Sequence, residues 1–219
     1  VEWNDTPRTK LLRDRMVREQ LQSRGIKDPR VIAVMTEVPR HWFCSAGIPE
    51  EEAYGDFPLP IGWGQTISQP LMVADMLQQM RLTGTETVLE IGTGSGYNAA
   101  LLSRLAQRVV SLEILPELAE LSRQRLIRGG FDNVEVHQAD GTLGWAEAAP
   151  YDAIVVTAGA PVIPEALLEQ LKQEGRLVIP VGSLLLQKLL VVRRTAEGIQ
   201  TEEHSDCRFV PLQGQGGWW

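Results

Sequence analysis

Two kinds of apolar pattern alternate along this chain. Short unbroken blocks, at Val88–Ile91, Val109–Glu113, Val134–Val136, Tyr151–Thr157 and Arg176–Val181, predict strands. The block YDAIVVT is apolar enough to be buried on both faces. Between the blocks, apolar residues recur every three or four positions and predict helices over Pro70–Met80, Asn98–Leu105, Pro116–Gly129 and Pro164–Leu171. Leu184–Arg193 and Ile199–Phe209 alternate as two further strands, expected to be antiparallel. Strand–helix alternation of this kind specifies an α/β fold: a doubly wound, Rossmann-like sheet, mostly parallel, with helices on both faces.

Residues 1–39 read as a helical cap on that sheet. Thr6-Pro7 starts one helix, with Leu11, Leu12, Met16, Val17 and Leu21 on its period and Gly25 at its end. Asp28-Pro29 starts a second, stopped by Pro39. The pair is too small to hold a core alone. Over residues 40–70 the periodicity vanishes into a Gly-, Pro- and aromatic-rich segment, anchored by Trp42, Phe43, Tyr54 and Phe57. A loop of that length inside a compact domain tends to be functional, and an irregular segment wrapping the core is the other reading; both can hold at once. Residues 71–205 form the expected cofactor-binding core and 206–219 a tail, all within one domain.

The strand at Val88 runs into Gly92-Thr93-Gly94-Ser95-Gly96 and then a helix. Glycine lets backbone approach a nucleotide where a Cβ would block both the turn and the ligand. Glu113 ends the next strand, roughly 20 residues on, where an acidic side chain grips ribose hydroxyls. The spacing is G-x-G-x-G, with Tyr97 where a dinucleotide fingerprint has its third glycine. Tyr97 is expected to crowd a pyrophosphate at the helix N-terminus, which favours a ligand without phosphates.

Composition narrows the class. The 219 residues are 43% apolar and 22% charged, and the formal net charge of −7 argues against a nucleic-acid partner. Cys44 and Cys207 form no C-x-x-C pair, and His41, His137 and His204 have no metal-ligand spacing, so no metal is expected. The polar start VEWNDTPRTK is no signal peptide and no apolar run is long enough to span a bilayer. A soluble, cytoplasmic monomer is the expectation.

Glu90 to Gly96, E-x-G-x-G-x-G, resembles the first motif of class I S-adenosylmethionine-dependent methyltransferases. AYGDFPLPIGWGQTISQP (Ala53–Pro70), RFVPL (Arg208–Leu212), YDAIVVTAGAP and GRLVIPVG extend the resemblance over nearly the whole chain, to the protein-L-isoaspartate O-methyltransferase family. The resemblance implies methyl transfer from S-adenosylmethionine to the free carboxylate of L-isoaspartyl residues in damaged proteins, with some action on D-aspartyl residues. The methyl ester then collapses to a succinimide. It implies Ser68 as the active-site residue, hydrogen-bonded to the acceptor carboxylate, with Gln65, Thr66 and Ile67 beside it and Val210, Pro211 and Leu212 along the substrate peptide, which places residues 40–70 and the tail 206–219 on the substrate side. Gly92, Thr93, Gly94, Ser95 and Gly96 would line the amino-acid end of the cofactor, Glu113 its ribose, and Asp140-Gly141 its adenine, with Glu90 orienting the loop. On the residues alone, Ser68 is equally a cap for the helix that follows, and Asp140 a turn residue. A small-molecule methyltransferase and a cofactor-binding regulator without catalysis also stay open. The terminal GQGGWW, ending in Trp218-Trp219, packs back on the domain, meets a partner or stays disordered.

Overall fold

The computed structural model describes residues 3–218. The cap is built as its sequence predicts. Helix α1 (Pro7–Arg15) runs on through a π-helical and a 3-10 turn to Arg24, and Gly25, at φ +100°, ends it. Helix α2 (Pro29–Glu37) is capped by the Asp28 side chain, which accepts from the N–H groups of Arg30 and Val31.

Residues 40–70 carry more regular structure than their sequence suggests. They hold a 3-10 turn at Arg40–Phe43, the one-turn helix α3 (Glu50–Ala53), and an antiparallel hairpin of β1 (Leu59–Gly62) and β2 (Gln65–Ile67). Each element is too short to show a period. The hairpin turn puts Gly62, Trp63 and Gly64 at φ +96°, +50° and +72°.

The remaining elements are α4 (Pro70–Met80), β3 (Thr87–Ile91), α5 (Tyr97–Leu105), β4 (Arg108–Glu113), α6 (Pro116–Arg128), β5 (Val134–Gln138), β6 (Tyr151–Val156), α7 (Glu165–Glu169), β7 (Leu171–Gly182), β8 (Gln187–Thr195) and β9 (Gly198–Cys207). The sheet order is β5-β4-β3-β6-β7-β8-β9. Strands β3 to β7 pair in parallel, and β8 and β9 add antiparallel. Alternate residues of β3 feed opposite faces. Val88 joins the core beneath the cap, α4, α5 and α6, whereas Leu89 and Ile91 join the core covered by α7, Trp145 and Leu212.

Two boundaries differ from the pattern. Helix α7 is five residues long, and β7 begins at Leu171 rather than Arg176, because Leu171 already pairs with Tyr151 across an irregularity in the ladder. Lys172–Glu174 carry no apolar signal, and Glu174 sits at φ +61°. Strand β8 begins at Gln187 because Ser183–Leu186 form the tip of the β7–β8 hairpin.

Candidate active site

Strands β4 and β5 extend the sheet to one side of β3, and β6 onward to the other. A crevice opens where the order reverses, at the carboxyl ends of β3 and β6, which is where open α/β sheets bind ligands. Gly92 follows β3 and Thr157 follows β6, and they meet there. Thr157 N–H donates to the Ile91 carbonyl at 2.9 Å and its Oγ1 to the Gly92 carbonyl at 2.6 Å. Gly92 is at φ +93°, and a Cβ on it would lie 2.5 Å from Thr157 Oγ1, so both conformation and contact require glycine.

Glu113 closes one side of the cleft. Its Oε2 accepts from the Gly94 N–H at 2.8 Å and its Oε1 from the Leu115 N–H at 3.0 Å. Burial raises its pKa from the ordinary value, and those backbone donors pull the other way. Gly141, following β5, adds the far wall, and Gln65, Thr66, Val210, Pro211 and Leu212 add the near one. The cleft is a cradle of backbone and one buried carboxylate, which suits a ligand offering a pair of hydroxyls.

A second hollow opens beside it. Thr66, Ile67 and Ser68 form one wall, and Gly92, Thr93, Gly94 and Ser95 the other. Thr66 and Ser68 also line a wide groove that runs past Met72 to Arg208 and Phe209. Ser68 therefore stands at the neck between that hollow and the groove, and Thr66, which lines the cradle as well, links all three. It is not a helix cap: Gln69 occupies the N-cap of α4 and no side chain caps that end. Ser68 makes no hydrogen bond to the described residues.

Other predicted residues act from behind the cleft. Glu90 is fully buried under the glycine turn, where it accepts from Asn98 Nδ2 at 2.8 Å and from the Ser111 hydroxyl. Ser111 Oγ in turn lies 2.6 Å from Thr93 Oγ1, so the Thr93 hydroxyl is already engaged. Ser95 Oγ accepts from the Tyr97 N–H at 3.3 Å, and its carbonyl accepts from Arg125, which also bonds the Phe43 and Cys44 carbonyls. Gly96 is the N-cap of α5 at φ +89°, a left-handed conformation that calls for glycine, while a Cβ there would only make ordinary contact with Ser122 and Leu126. The Tyr97 ring is buried beside Phe43 and beneath Arg40, and Tyr97 also borders the hollow beside the glycine turn.

Asp140 and Gly141 part company. Asp140 Oδ1 accepts from the Thr142 N–H and hydroxyl, and its Oδ2 accepts from the Gln215 N–H at 2.8 Å. It is a turn residue that also holds the tail, while Gly141 faces the cleft. The tail packs back on the domain: Val210 O and Leu212 N bond Gly159, and Trp218 Nε1 donates to the Gly159 carbonyl at 2.9 Å. Trp219 lies outside the described residues. With Val210 O and Leu212 N occupied, the Phe209 and Pro211 carbonyls are the ones left without a partner among the described residues.

The Glu90 carboxyl carries a stability prediction. Burial pushes its pKa up to about 7 from the ordinary 4.5, against the pull of Ser111 and Asn98. Between those values the native state keeps a proton that the unfolded chain has released, so stability falls as pH rises from 4.5 to 7 and levels beyond. The full effect is on the order of 3 kcal/mol. Denaturant titrations of wild type and Glu90→Gln at pH 5 and pH 8 check it, the wild type losing more between the two than the variant.

The fold and the site together are those of the class I S-adenosylmethionine-dependent methyltransferases. The sequence model of the protein-L-isoaspartate(D-aspartate) O-methyltransferase family matches residues 12–217. Curated relatives named protein-L-isoaspartate O-methyltransferase include one from Pelobacter propionicus, 57% identical over 94% of this chain and 92% of its own, and one from Syntrophobacter fumaroxidans, 53% identical over 94% and 96%. A solved protein-L-isoaspartate O-methyltransferase superposes with a TM-score of 0.84 at 30% identity, over 94% of this chain and 67% of its own. A putative one from Plasmodium falciparum, solved in complex with S-adenosyl-L-homocysteine, gives 0.80 at 27% identity over 92% and 98%. The chain belongs to the protein-L-isoaspartate O-methyltransferase family. Among the described residues no helix is long and apolar enough to cross a membrane, and no cluster of His, Cys, Asp and Glu suits a metal ion.

Proposed function

We propose that this enzyme transfers the methyl group of S-adenosylmethionine to the free carboxylate of L-isoaspartyl residues in aged polypeptides, the step that opens their repair. The observation that carries the reading is the place of Ser68, at the neck joining the hollow beside a nucleoside-type cradle to a groove wide enough for a peptide. Glu113 would hold the ribose, Gly92 and Gly94 the amino-acid end, and the Asp140-Gly141 turn the adenine side. When bound, S-adenosylmethionine supplies an electrophilic methyl group on a sulfonium.

The residues of the neck suit that chemistry by what they leave out. An acceptor carboxylate with a pKa of about 3.5 is already ionised at neutral pH, so no general base is needed. Cys207, in the groove, is held as a neutral thiol by burial, its pKa pushed up to about 11, and is no competing nucleophile. Joining an anion to a cation neutralises charge, so the site gains by orienting the carboxylate with a neutral donor such as the Ser68 hydroxyl rather than clamping it with a cation. Orientation of this kind contributes roughly 7–11 kcal/mol to a two-partner reaction. The groove wall formed by Phe209, Val210 and Pro211 offers the Phe209 and Pro211 carbonyls, which can hold a peptide backbone whatever its side chains, and this fits a catalyst with many clients. The substrates are proteins rather than nucleic acid, in keeping with the net charge of −7, and the reaction belongs to the cytoplasm.

Incubation with methyl-labelled S-adenosylmethionine and a matched pair of peptides, one isoaspartyl and one aspartyl, tests the reading. Label enters only the isoaspartyl peptide. Equal labelling of both, or of neither while the cofactor binds, would overturn it.

A further inference from the structure

Tips between antiparallel strands are usually built from Gly, Asn, Asp and Pro, which suit tight turns and water. The β7–β8 tip is instead Ser183-Leu184-Leu185-Leu186, with the leucines 39%, 74% and 56% exposed. It is a well-tied turn. Ser183 N–H donates to the Leu186 carbonyl at 2.9 Å, and Ser183 Oγ accepts from the N–H groups of Leu185 and Leu186 at 3.3 and 3.2 Å. Leucines presented in water on a fixed turn mark a contact surface.

The position of the tip says what it contacts. Leu184 and Leu185 line the groove that starts at Ser68, together with Pro58 and Met72, while Leu186 lies outside that lining. Gln187, almost fully buried, ties the tip to the acceptor wall: its Nε2 donates to the Ser183 carbonyl and its Oε1 accepts from the Phe209 N–H at 2.8 Å. The leucines and the neck are thus parts of one fixed surface, and whatever polypeptide enters the neck lays its flanking residues along the leucines.

We infer that Leu184 and Leu185 form a subsite for an apolar side chain flanking the methyl-accepting residue, so that the enzyme favours isoaspartyl sites in extended, apolar stretches of chain. The inference rests on the reaction proposed above. Folded proteins bury such stretches, whereas unfolded or damaged ones expose them. The subsite therefore directs the enzyme toward clients that have lost their fold.

Two isoaspartyl peptides test it, one flanked by Leu and Val, the other by Ser. Wild type is expected to favour the apolar peptide about tenfold in kcat/KM, carried by KM, as burial of part of one aliphatic side chain gives. The double variant Leu184→Ser/Leu185→Ser brings the ratio near one with unchanged affinity for S-adenosylhomocysteine, and Leu186→Ser keeps the preference. A wild-type ratio near one, a double variant that still discriminates, or equal loss in Leu186→Ser overturns the subsite and leaves the proposed reaction standing. Methylation of neither peptide by wild type overturns the reaction and the subsite together.

Discussion

Glu113→Gln should weaken S-adenosylmethionine binding by about 100-fold, the scale of one to two hydrogen bonds to a charged acceptor. The carboxylate does two jobs at once. It fixes the glycine turn through the Gly94 N–H and the β4–α6 junction through the Leu115 N–H, and it keeps acceptor capacity for ribose hydroxyls. A glutamine retains one carbonyl oxygen, and its amide N–H₂ must face one of those two donors. Titration calorimetry with S-adenosylhomocysteine measures the loss directly. The same group sets a pH dependence. Because burial raises the Glu113 pKa, the carboxylate is protonated sooner than an exposed one as pH falls, and cofactor affinity declines on that acid limb. The decline begins above the ordinary carboxylate range and is absent from Glu113→Gln. A variant that binds as wild type does would remove Glu113 from the site.

Ser68→Ala should lower kcat for isoaspartyl peptides by about 10–100-fold, the cost of losing one orienting hydrogen bond in the transition state. Its affinity for S-adenosylhomocysteine and its melting temperature should stay near wild type, since Ser68 neither caps α4 nor bonds any described residue. Steady-state kinetics beside calorimetry and a thermal melt separate the outcomes. A fall in stability with turnover intact would make Ser68 structural. Ser68→Thr, which keeps the hydroxyl, should recover part of the lost rate.

Much of this architecture is legible in the amino-acid pattern because its signals are local. The apolar block before Gly92, the glycines themselves and the acidic residue ending the next strand all lie within one strand–turn–helix–strand unit. The family motifs around Ser68 and Phe209 are likewise contiguous. What the pattern leaves out depends on partners distant in sequence. Asp140 reads as a turn residue, and nothing near it announces that Gln215 will donate to its carboxylate. Thr157 reads as the end of a strand until β6 is laid beside β3 and its hydroxyl meets Gly92. Gln187 reads as one polar residue in an alternating strand, yet it is buried and joins two loops. The β1–β2 hairpin escapes for another reason: strands of three and four residues have no period to detect, and Trp63 at positive φ gives no sign of its conformation.

The single parallel bridge between Gly159 and Pro211 has a bearing on how this enzyme ages. Its two backbone hydrogen bonds join those of Phe209 with Gln187, Gln215 with Asp140 and Trp218 with Gly159 in holding the segment that walls both the cradle and the groove, and Leu212 is buried in the core beneath it. A segment moored at that many points opens only as the sheet beneath it does. Warming should therefore extinguish methyl transfer together with the melting of the sheet, not ahead of it. A catalyst that tends heat-worn proteins would then keep its working surface for as long as it keeps its own fold.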